Sequence, residues 1–527
     1  MRLSRLFMIL FVVGCSGDAT LERANTRLGQ ELDLPEPISL EEASIYPTGQ
    51  ERTPEAKADG LAVTSAHQDV FGVTGAPGRG VELLAEWAPA NAVLIAWHPP
   101  LSSYFEALVD VLVGSSVVWI ITQNEVESQE IGIRLETMGI GEGRVRFFEY
   151  EHEAFWTRDY GPWSVRTESG EVGFVDPRYY PTRYRDDAVP TLLGERIGTP
   201  IYRPKFSAEG GNLMSNGSGL CVTTTRLNYN NPPLKTYEMH DVLSEWVGCR
   251  QTVFLEPLKG ERTGHVDLIA KFTQVDTVLL GSYRVSDDAD NAARLDRNAQ
   301  RLSEVRLSDG RPLRILRVPM PPNDSNYFPT YTNSLLVNGT LIMPSFGEHP
   351  ELEVRAVEVY REALPQDTVV ELVDASDVIE FGGAVHCTTM QLSFGVVDAT
   401  TVTANQPGAL HVPDDTFVQQ VNLEIEDLGT LIVNQEIGGS GIEALEQLEV
   451  VVNVEHRVPE SLQMTLVRGG QRVDLGMPDD VSPLNRFRVT LPDFIGQPMD
   501  GMWTLEIEDT SAGFRGALLS WWLRSSE

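Results

Sequence analysis

The sequence predicts an α/β domain followed by a separate all-β domain, and three observations carry that expectation. From about Gly80 to Gly395, short apolar strand candidates alternate with segments of helical spacing. Within that region a strand–strand–helix–strand block recurs, without an exact sequence repeat. After about Gly395 the helical periodicity stops, and short alternating strands follow, separated by Pro, Gly and Asp. That is the pattern of a β-sandwich. At 527 residues the chain has room for two or three domains.

The elements follow in order. Ala92–Trp97 (AVLIAW) reads as a strand, Tyr104–Val113 as a helix, Ser116–Thr122 (SVVWIIT) as a strand, Gln129–Met138 as a helix and Arg144–Phe148 as a strand. Farther on, Val278–Leu280 precedes the helical Asp290–Leu302, and Leu313–Val318 is apolar again. Leu335–Pro344, with Asn338-Gly339 at its centre, reads as a hairpin, because that dipeptide supplies the positive φ angles of a tight turn. The helix Glu351–Ala363 and the strand Thr368–Leu372 complete the block. The strands of the second domain are expected at Val418–Ile432, Leu448–Val454, Leu462–Val467, Phe487–Leu491 and Trp503–Ile507, with a boundary near Asn405-Gln406-Pro407-Gly408.

Charge narrows the partners. The chain carries 41 basic and 76 acidic residues, a net charge of −35. Such a field repels nucleic acid and anionic lipid surfaces and attracts cations, so arginine-bearing molecules suit it. The plainer reading is that the charge serves solubility. At the N-terminus, Arg2 and Arg5 precede an apolar run, Leu6–Val13, too short to span a bilayer. Val12-Val13-Gly14-Cys15 then resembles the lipobox of bacterial lipoproteins, which implies lipidation of Cys15, a membrane anchor and an exported, envelope-attached protein. A plain secretory signal is the alternative. Residues 16–79, rich in Glu, Ala, Thr, Pro and Gly, read as a tether. With Cys15 lipidated, Cys221, Cys249 and Cys387 remain. Three is an odd number, so at least one thiol stays free, and whether Cys221 pairs with Cys249 is left open.

Four short blocks could carry chemistry. In Phe155–Trp163 (FWTRDYGPW), Asp159 lies beside aromatic walls that include Trp156, a setting in which a carboxylate grips a planar cation. A structural Arg158–Asp159 ion pair is the plainer reading. In Ser207–Asn212 (SAEGGN), paired glycines allow close backbone approach, and Glu209 could be a catalytic acid, a cation ligand or a cap. In Gly264–Asp267 (GHVD), read as a strand, His265 and Asp267 share a face, and a carboxylate stabilises the imidazolium for proton transfer. Metal binding would need further ligands, and no HxH or CxxC pattern supplies them. In Glu380–Leu392 (EFGGAVHCTTMQL), Cys387 is either a small core residue or a nucleophile. On an extended strand His386 points away from it, so His265 is the better base.

Taken in order, these blocks resemble the guanidine-modifying superfamily, and more closely its bacterial peptidylarginine deiminase and agmatine deiminase family. The resemblance runs from about Val81 to Gly395. It begins at Ala85-Glu86-Trp87-Ala88-Pro89 with AVLIAW, and includes WTRDYGPW, AEGGN and GHVD. It ends with Tyr331-Thr332-Asn333-Ser334, Pro344-Ser345-Phe346-Gly347 and GGAVHCTT. It implies a five-bladed α/β propeller of strand–strand–helix–strand units around a central site. It further implies Cys387 as nucleophile, His265 as general acid/base, and Asp159 and Asp267 as the carboxylates that hold the guanidinium. Glu209, Asn333 and Trp156 fall at substrate-binding positions. Arg183, within Asp176–Pro190 (DPRYYPTRYRDDAVP), matches one of two arginines that grip the carboxylate of a C-terminal arginine. Pro181 stands at the other position. The reaction implied is hydrolysis of peptidyl-arginine to peptidyl-citrulline, with agmatine deimination or a non-catalytic arginine-binding scaffold as alternatives, and it requires no metal or other cofactor.

Gly501–Leu523 (GMWTLEIEDTSAGFRGALLSWWL) resembles the end of the P domain of proprotein convertases, which implies a jelly-roll sandwich. The plainer role of its tryptophans is core packing. The expected division is therefore signal 1–15, tether 16–79, deiminase domain 80–396, linker 397–410 and P-domain-like sandwich 411–527.

Overall fold

The computed structural model describes residues 26–27, 49–140, 143–323, 327–366, 368–395, 416–438, 442–456, 461–476, 484–512 and 516–525. Cys15 and the proposed linker lie outside them.

Residues 82–392 fold into five small mixed sheets among the described residues. The construction rule is shared. An antiparallel pair of strands is followed by a helix, and the next strand returns parallel. Trp163–Arg166 and Val172–Val175 pair antiparallel, the helix Tyr184–Ile197 crosses, and Ile201–Tyr202 adds in parallel. The same rule joins Leu213–Ser215, Leu220–Thr224 and Gln251–Leu255 through the helix Thr236–Val247. It joins Ala270–Gln274, Thr277–Ser282 and Arg314–Pro319 through Ala289–Ser303. Leu335–Val337, Thr340–Ser345 and Val369–Asp374 follow through Pro350–Ala363. In the remaining sheet the chain's late strand Met390–Leu392 pairs antiparallel with Ala92–Ala96, beside the parallel strands Val117–Thr122 and Val145–Glu149.

Local chemistry explains the element ends. The helix Glu125–Thr137 is capped by Asn124, whose side chain accepts from the Glu127 amide at 3.1 Å. Asp288 caps Ala289–Ser303 in the same way, at 2.9 Å from the Asn291 amide. The Asn338-Gly339 turn forms as expected, with φ of 45° and 80°.

Two expectations fail here. Part of the supposed tether is ordered secondary structure: Thr53 caps a helix at Pro54–Ala66, and Gln68–Phe71 follows. Val70 and Phe71 are buried in the domain core, and the Thr191 hydroxyl donates to the Val70 carbonyl at 3.2 Å. The low hydrophobic periodicity of that helix hid it, because it docks through a few contacts rather than an apolar stripe. Residues 264–267 are also not a strand; Val266–Leu268 is a single 3-10 turn.

The C-terminal region consists of two four-stranded antiparallel sheets. One contains Thr416–Ile425, Gly516–Ser525, Leu448–His456 and Leu484–Leu491. The other contains Thr430–Ile437, Gly501–Asp509, Leu462–Arg468 and Gln471–Asp474. The single strand expected over 418–432 is two, separated by a turn at Leu428, where φ is 55°.

Candidate active site

The four blocks meet. Asp159 sits on the helical turn Thr157–Tyr160, His265 and Asp267 flank and enter the 3-10 turn, and Cys387 precedes the closing strand. All four side chains are buried. The Cys387 Sγ lies 3.7 Å from Asp267 Oδ2, and His265 Nδ1 lies 3.6 Å from Asp159 Oδ1. Gly211 shows how tightly they converge. A Cβ added there would stand 2.6 Å from His265 Nδ1 and 3.0 Å from both Asp159 Oδ1 and Asp267 Oδ2. The paired glycines of AEGGN are therefore the wall that lets three polar side chains share one space.

Hydrogen bonding inside this space is incomplete. Both carboxylate oxygens of Asp159, Oδ1 of Asp267 and both ring nitrogens of His265 are buried without a hydrogen-bond partner among the described residues. Leaving such groups unmatched is expensive, and native structures do so where a ligand completes them. The free atoms are chiefly carboxylate oxygens, the partners of a multi-donor cation. A planar guanidinium, with five N–H donors, fits that set.

Electrostatics follows from burial. Burial pushes Asp159 up to about 8, with His265 pulling it down and Asp267 and Glu209 adding to the rise. Burial alone would lower the pKa of His265; the carboxylates of Asp159, Glu209 and Asp267 outweigh it and hold the imidazole above the ordinary histidine range. Asp267 is held low despite burial, by the hydrogen bond and charge of His386. Burial drives the Cys387 thiol well up, and Asp267 and Asp159 drive it further, against a hydrogen bond from Asn333.

Each remaining candidate has a definite place. Asn333 Nδ2 donates to Cys387 Sγ at 3.2 Å, while its Oδ1 accepts from the Ala384 and Cys387 amides at 3.0 and 3.3 Å. It thus shapes the turn that presents Cys387. Glu209 accepts from the Tyr180 hydroxyl and, at 2.8 Å, from Asn230 Nδ2. Trp156 is fully buried, packed against Phe155 and, across Gly383, beside Cys387. Arg183 departs from expectation. It is buried and forms a two-point ion pair with Glu51, Nε to Oε1 at 2.7 Å and Nη2 to Oε2 at 3.2 Å. Its guanidinium is therefore already matched by a carboxylate of the same chain. Cys221 and Cys249 are joined as a disulfide, and Cys387 is the free thiol among the described residues.

Sequence reasoning missed His386. Its Nδ1 is 2.7 Å from Asp267 Oδ2 and its Nε2 bonds Glu86 Oε1. The alternation argument assumed an extended strand, but residues 385–388 form a turn ahead of the strand. The signal was present in the sequence as the Glu86 of AEWAP, at a distance no local pattern can bridge.

Known proteins place the same region. The chain is 27% identical to the agmatine deiminase of Pseudomonas aeruginosa strain LESB58 over 361 residues, covering 59% of this chain and 95% of that one. It is likewise 27% identical to the agmatine deiminase of Stutzerimonas stutzeri over 362 residues, with the same coverage. The solved agmatine deiminase of Enterococcus faecalis superposes with a TM-score of 0.54 at 22% identity, over 61% of this chain and 98% of the other, a likeness of fold. Residues 445–525 match the proprotein convertase P-domain. Residues 82–393, more than half of the chain, match the model of the Porphyromonas-type peptidyl-arginine deiminases, and the chain belongs to that family.

Proposed function

We propose that the protein hydrolyses the guanidinium of peptidyl-arginine to a ureido group, releasing ammonia through a covalent intermediate on Cys387. This is hydrolysis of a carbon–nitrogen bond in a linear amidine. The observation that carries the reading is the set of unpartnered carboxylate oxygens of Asp159 and Asp267 around a lone thiol.

The steps follow from the geometry. The substrate cation lies between Asp159 and Asp267, which hold it by charge-assisted hydrogen bonds. Its arrival supplies the positive charge that burial denies the thiol, so Cys387 ionises beside it and its proton passes to solvent. The thiolate attacks the guanidinium carbon, forming an S–C bond. His265, kept protonated by its carboxylate neighbours, gives its proton to the departing nitrogen as the C–N bond breaks and ammonia leaves. The neutral imidazole then takes a proton from water, whose oxygen attacks the same carbon. The S–C bond breaks, the intermediate's hydroxyl gives its remaining proton to solvent as the ureido C=O forms, and the product departs as the thiolate returns. Asn333 steadies the sulfur, and Trp156 walls the slot.

Agmatine is the second reading, supported by the agmatine deiminases among the relatives. The Glu51–Arg183 pair bears on the choice within the peptide reading, because an arginine already matched by a buried carboxylate does not grip a substrate's free carboxylate. We therefore favour internal over C-terminal arginine. In the same proposal the five mixed sheets are blades of a propeller around this site. The domains divide near residues 80, 396 and 411, and the sandwich is an accessory module. Cys15 carries a lipid that anchors the protein to the bacterial envelope. The disulfide suits an exported protein, since such bonds persist in oxidising compartments.

The test is citrulline and ammonia release from peptides with internal or C-terminal arginine, free arginine and agmatine, with Cys387→Ala as control. Turnover of internal peptides, abolished in Cys387→Ala, is expected. Ammonia from agmatine alone overturns the peptide reading, and ordinary turnover by Cys387→Ala sinks the covalent mechanism.

A further inference from the structure

His386 stands behind the nucleophile in a row of alternating charges. Its Nδ1 meets Asp267 Oδ2 at 2.7 Å, and its Nε2 meets Glu86 Oε1. The other oxygen of Glu86 pairs with Lys271 Nζ and accepts from the Leu336 amide at 3.2 Å. Lys271 also donates to the Ser334 carbonyl. His386, Lys271 and Asp267 are buried, and Arg158 comes from the side, its Nε donating to the His386 carbonyl at 3.3 Å. The row borders a second cavity, lined by Glu86, Arg158, Lys271, His386 and Gln391; none of Asp159, His265 or Cys387 lines it. The row therefore lies between the reacting sulfur and a separate, largely apolar cavity.

A ring with a carboxylate at each nitrogen satisfies both only by donating from both, as the imidazolium. Asp267, His386, Glu86 and Lys271 then carry −, +, − and +, which sums to zero. The consequence falls on Asp267. One of its oxygens is taken by His386, and the other, Oδ1, is free. The same Oδ2 is 3.7 Å from Cys387 Sγ, so a thiolate and a carboxylate must coexist at that distance during turnover. Two like charges so close do not both ionise without a nearby cation.

We propose that His386 and Glu86 are positioning residues: the imidazolium clamped between two carboxylates fixes Asp267, turns its Oδ1 to the substrate and lets the Cys387 thiolate form beside it. The charged or titratable groups facing His386 are Asp267, Glu86, Lys271, Arg158 and Cys387, and the role belongs to the set. His386 exchanges no proton in the reaction. The inference rests on the deiminase reading for its rate predictions, and the alkylation readout below stands without it.

The experiment uses the full chain with His386→Gln and Glu86→Gln, each checked for folding by circular dichroism and thermal unfolding. Two pH profiles are measured: kcat/KM on whichever guanidinium substrate is turned over, and the iodoacetamide alkylation rate read by mass spectrometry on the Cys387 peptide. Removing the cation makes Asp267 and Cys387 easier to protonate, so both need a higher pH to ionise. His386→Gln should move the acid limb of both profiles upward by about one pH unit and lower kcat/KM at pH 7 at least about tenfold, mainly through KM. Glu86→Gln should move them the same way by less. Folded variants whose profiles superimpose on the wild type, or that lose the same factor at every pH, overturn the proposal. Should His386→Gln fail to fold, an unmoved profile in Glu86→Gln overturns it equally. If the wild type turns over no guanidine, the deiminase reading fails, while the alkylation profile still decides the positioning role.

Discussion

The candidate site and the core of the C-terminal sandwich are built on opposite rules. Around Cys387 the interior holds Asp159, Asp267, His265, His386 and Lys271, with Glu86 half-buried beside them, and several atoms of Asp159, Asp267 and His265 have no hydrogen-bond partner among the described residues. In the C-terminal sandwich, Trp503, Trp521, Leu448, Phe494 and Leu505 form an apolar interior with zero exposure. Buried polar side chains are few there among the described residues; Trp503 Nε1 donates to the Met499 carbonyl at 2.9 Å and the Ser461 hydroxyl donates to Asp509 at 2.8 Å. Burial of apolar area stabilises the sandwich, whereas burial of charge destabilises the site until a cation arrives. The contrast separates what folds the chain from what it does.

Removing charge from the candidate site should expose that opposition most strongly. Asp159→Asn should reduce kcat/KM by about a thousandfold, because one of two charged hydrogen-bond acceptors for the guanidinium is lost. The same change should raise the unfolding midpoint of the deiminase domain, since a buried carboxylate without partners becomes a neutral amide. A drop in that midpoint would dissolve the contrast. Gly211→Ala comes next. Its methyl would crowd His265, Asp159 and Asp267, so activity should fall by about a hundredfold. Cysteine alkylation without substrate should change little, and a variant with normal KM and kcat would refute the wall assigned to that glycine. The smallest effect on activity is expected from Trp503→Ala. It should cost the sandwich about 3–5 kcal/mol by cavity formation. Turnover should stay within a factor of about two, if the module is accessory. A parallel loss of turnover would show the site and the sandwich to be coupled.

The sandwich and the site differ also in how readily they can be read from residues. Alternation in Leu448–His456 or Gly501–Asp509 announces a strand because each step is local. The helix Tyr184–Ile197 carries Pro190 and Gly194 in its interior, and local signals argue against it; packing of its buried face overrides them. Cys387 and the carboxylates around it were legible only as an ordered set of blocks, since Asp159, Asp267 and Cys387 are far apart in the chain. Two relations left no trace in any window. The Glu51–Arg183 pair spans 132 positions and His386–Glu86 spans 300, and each depends on turns that bring distant backbones together. Alternation also misled at GHVD, because a 3-10 turn and a strand can present the same two side chains to one point.

The strand Met390–Leu392 pairs with Ala92–Ala96 and so fastens the late part of the deiminase domain to its beginning. During synthesis the ribosome delivers the acidic wall and the imidazole more than a hundred residues ahead of the sulfur. Sequence separation of this order slows folding. The polypeptide therefore emerges with the pairing that joins its late and early strands still unmade, and Cys387 reaches its place only when Met390–Leu392 docks on Ala92–Ala96.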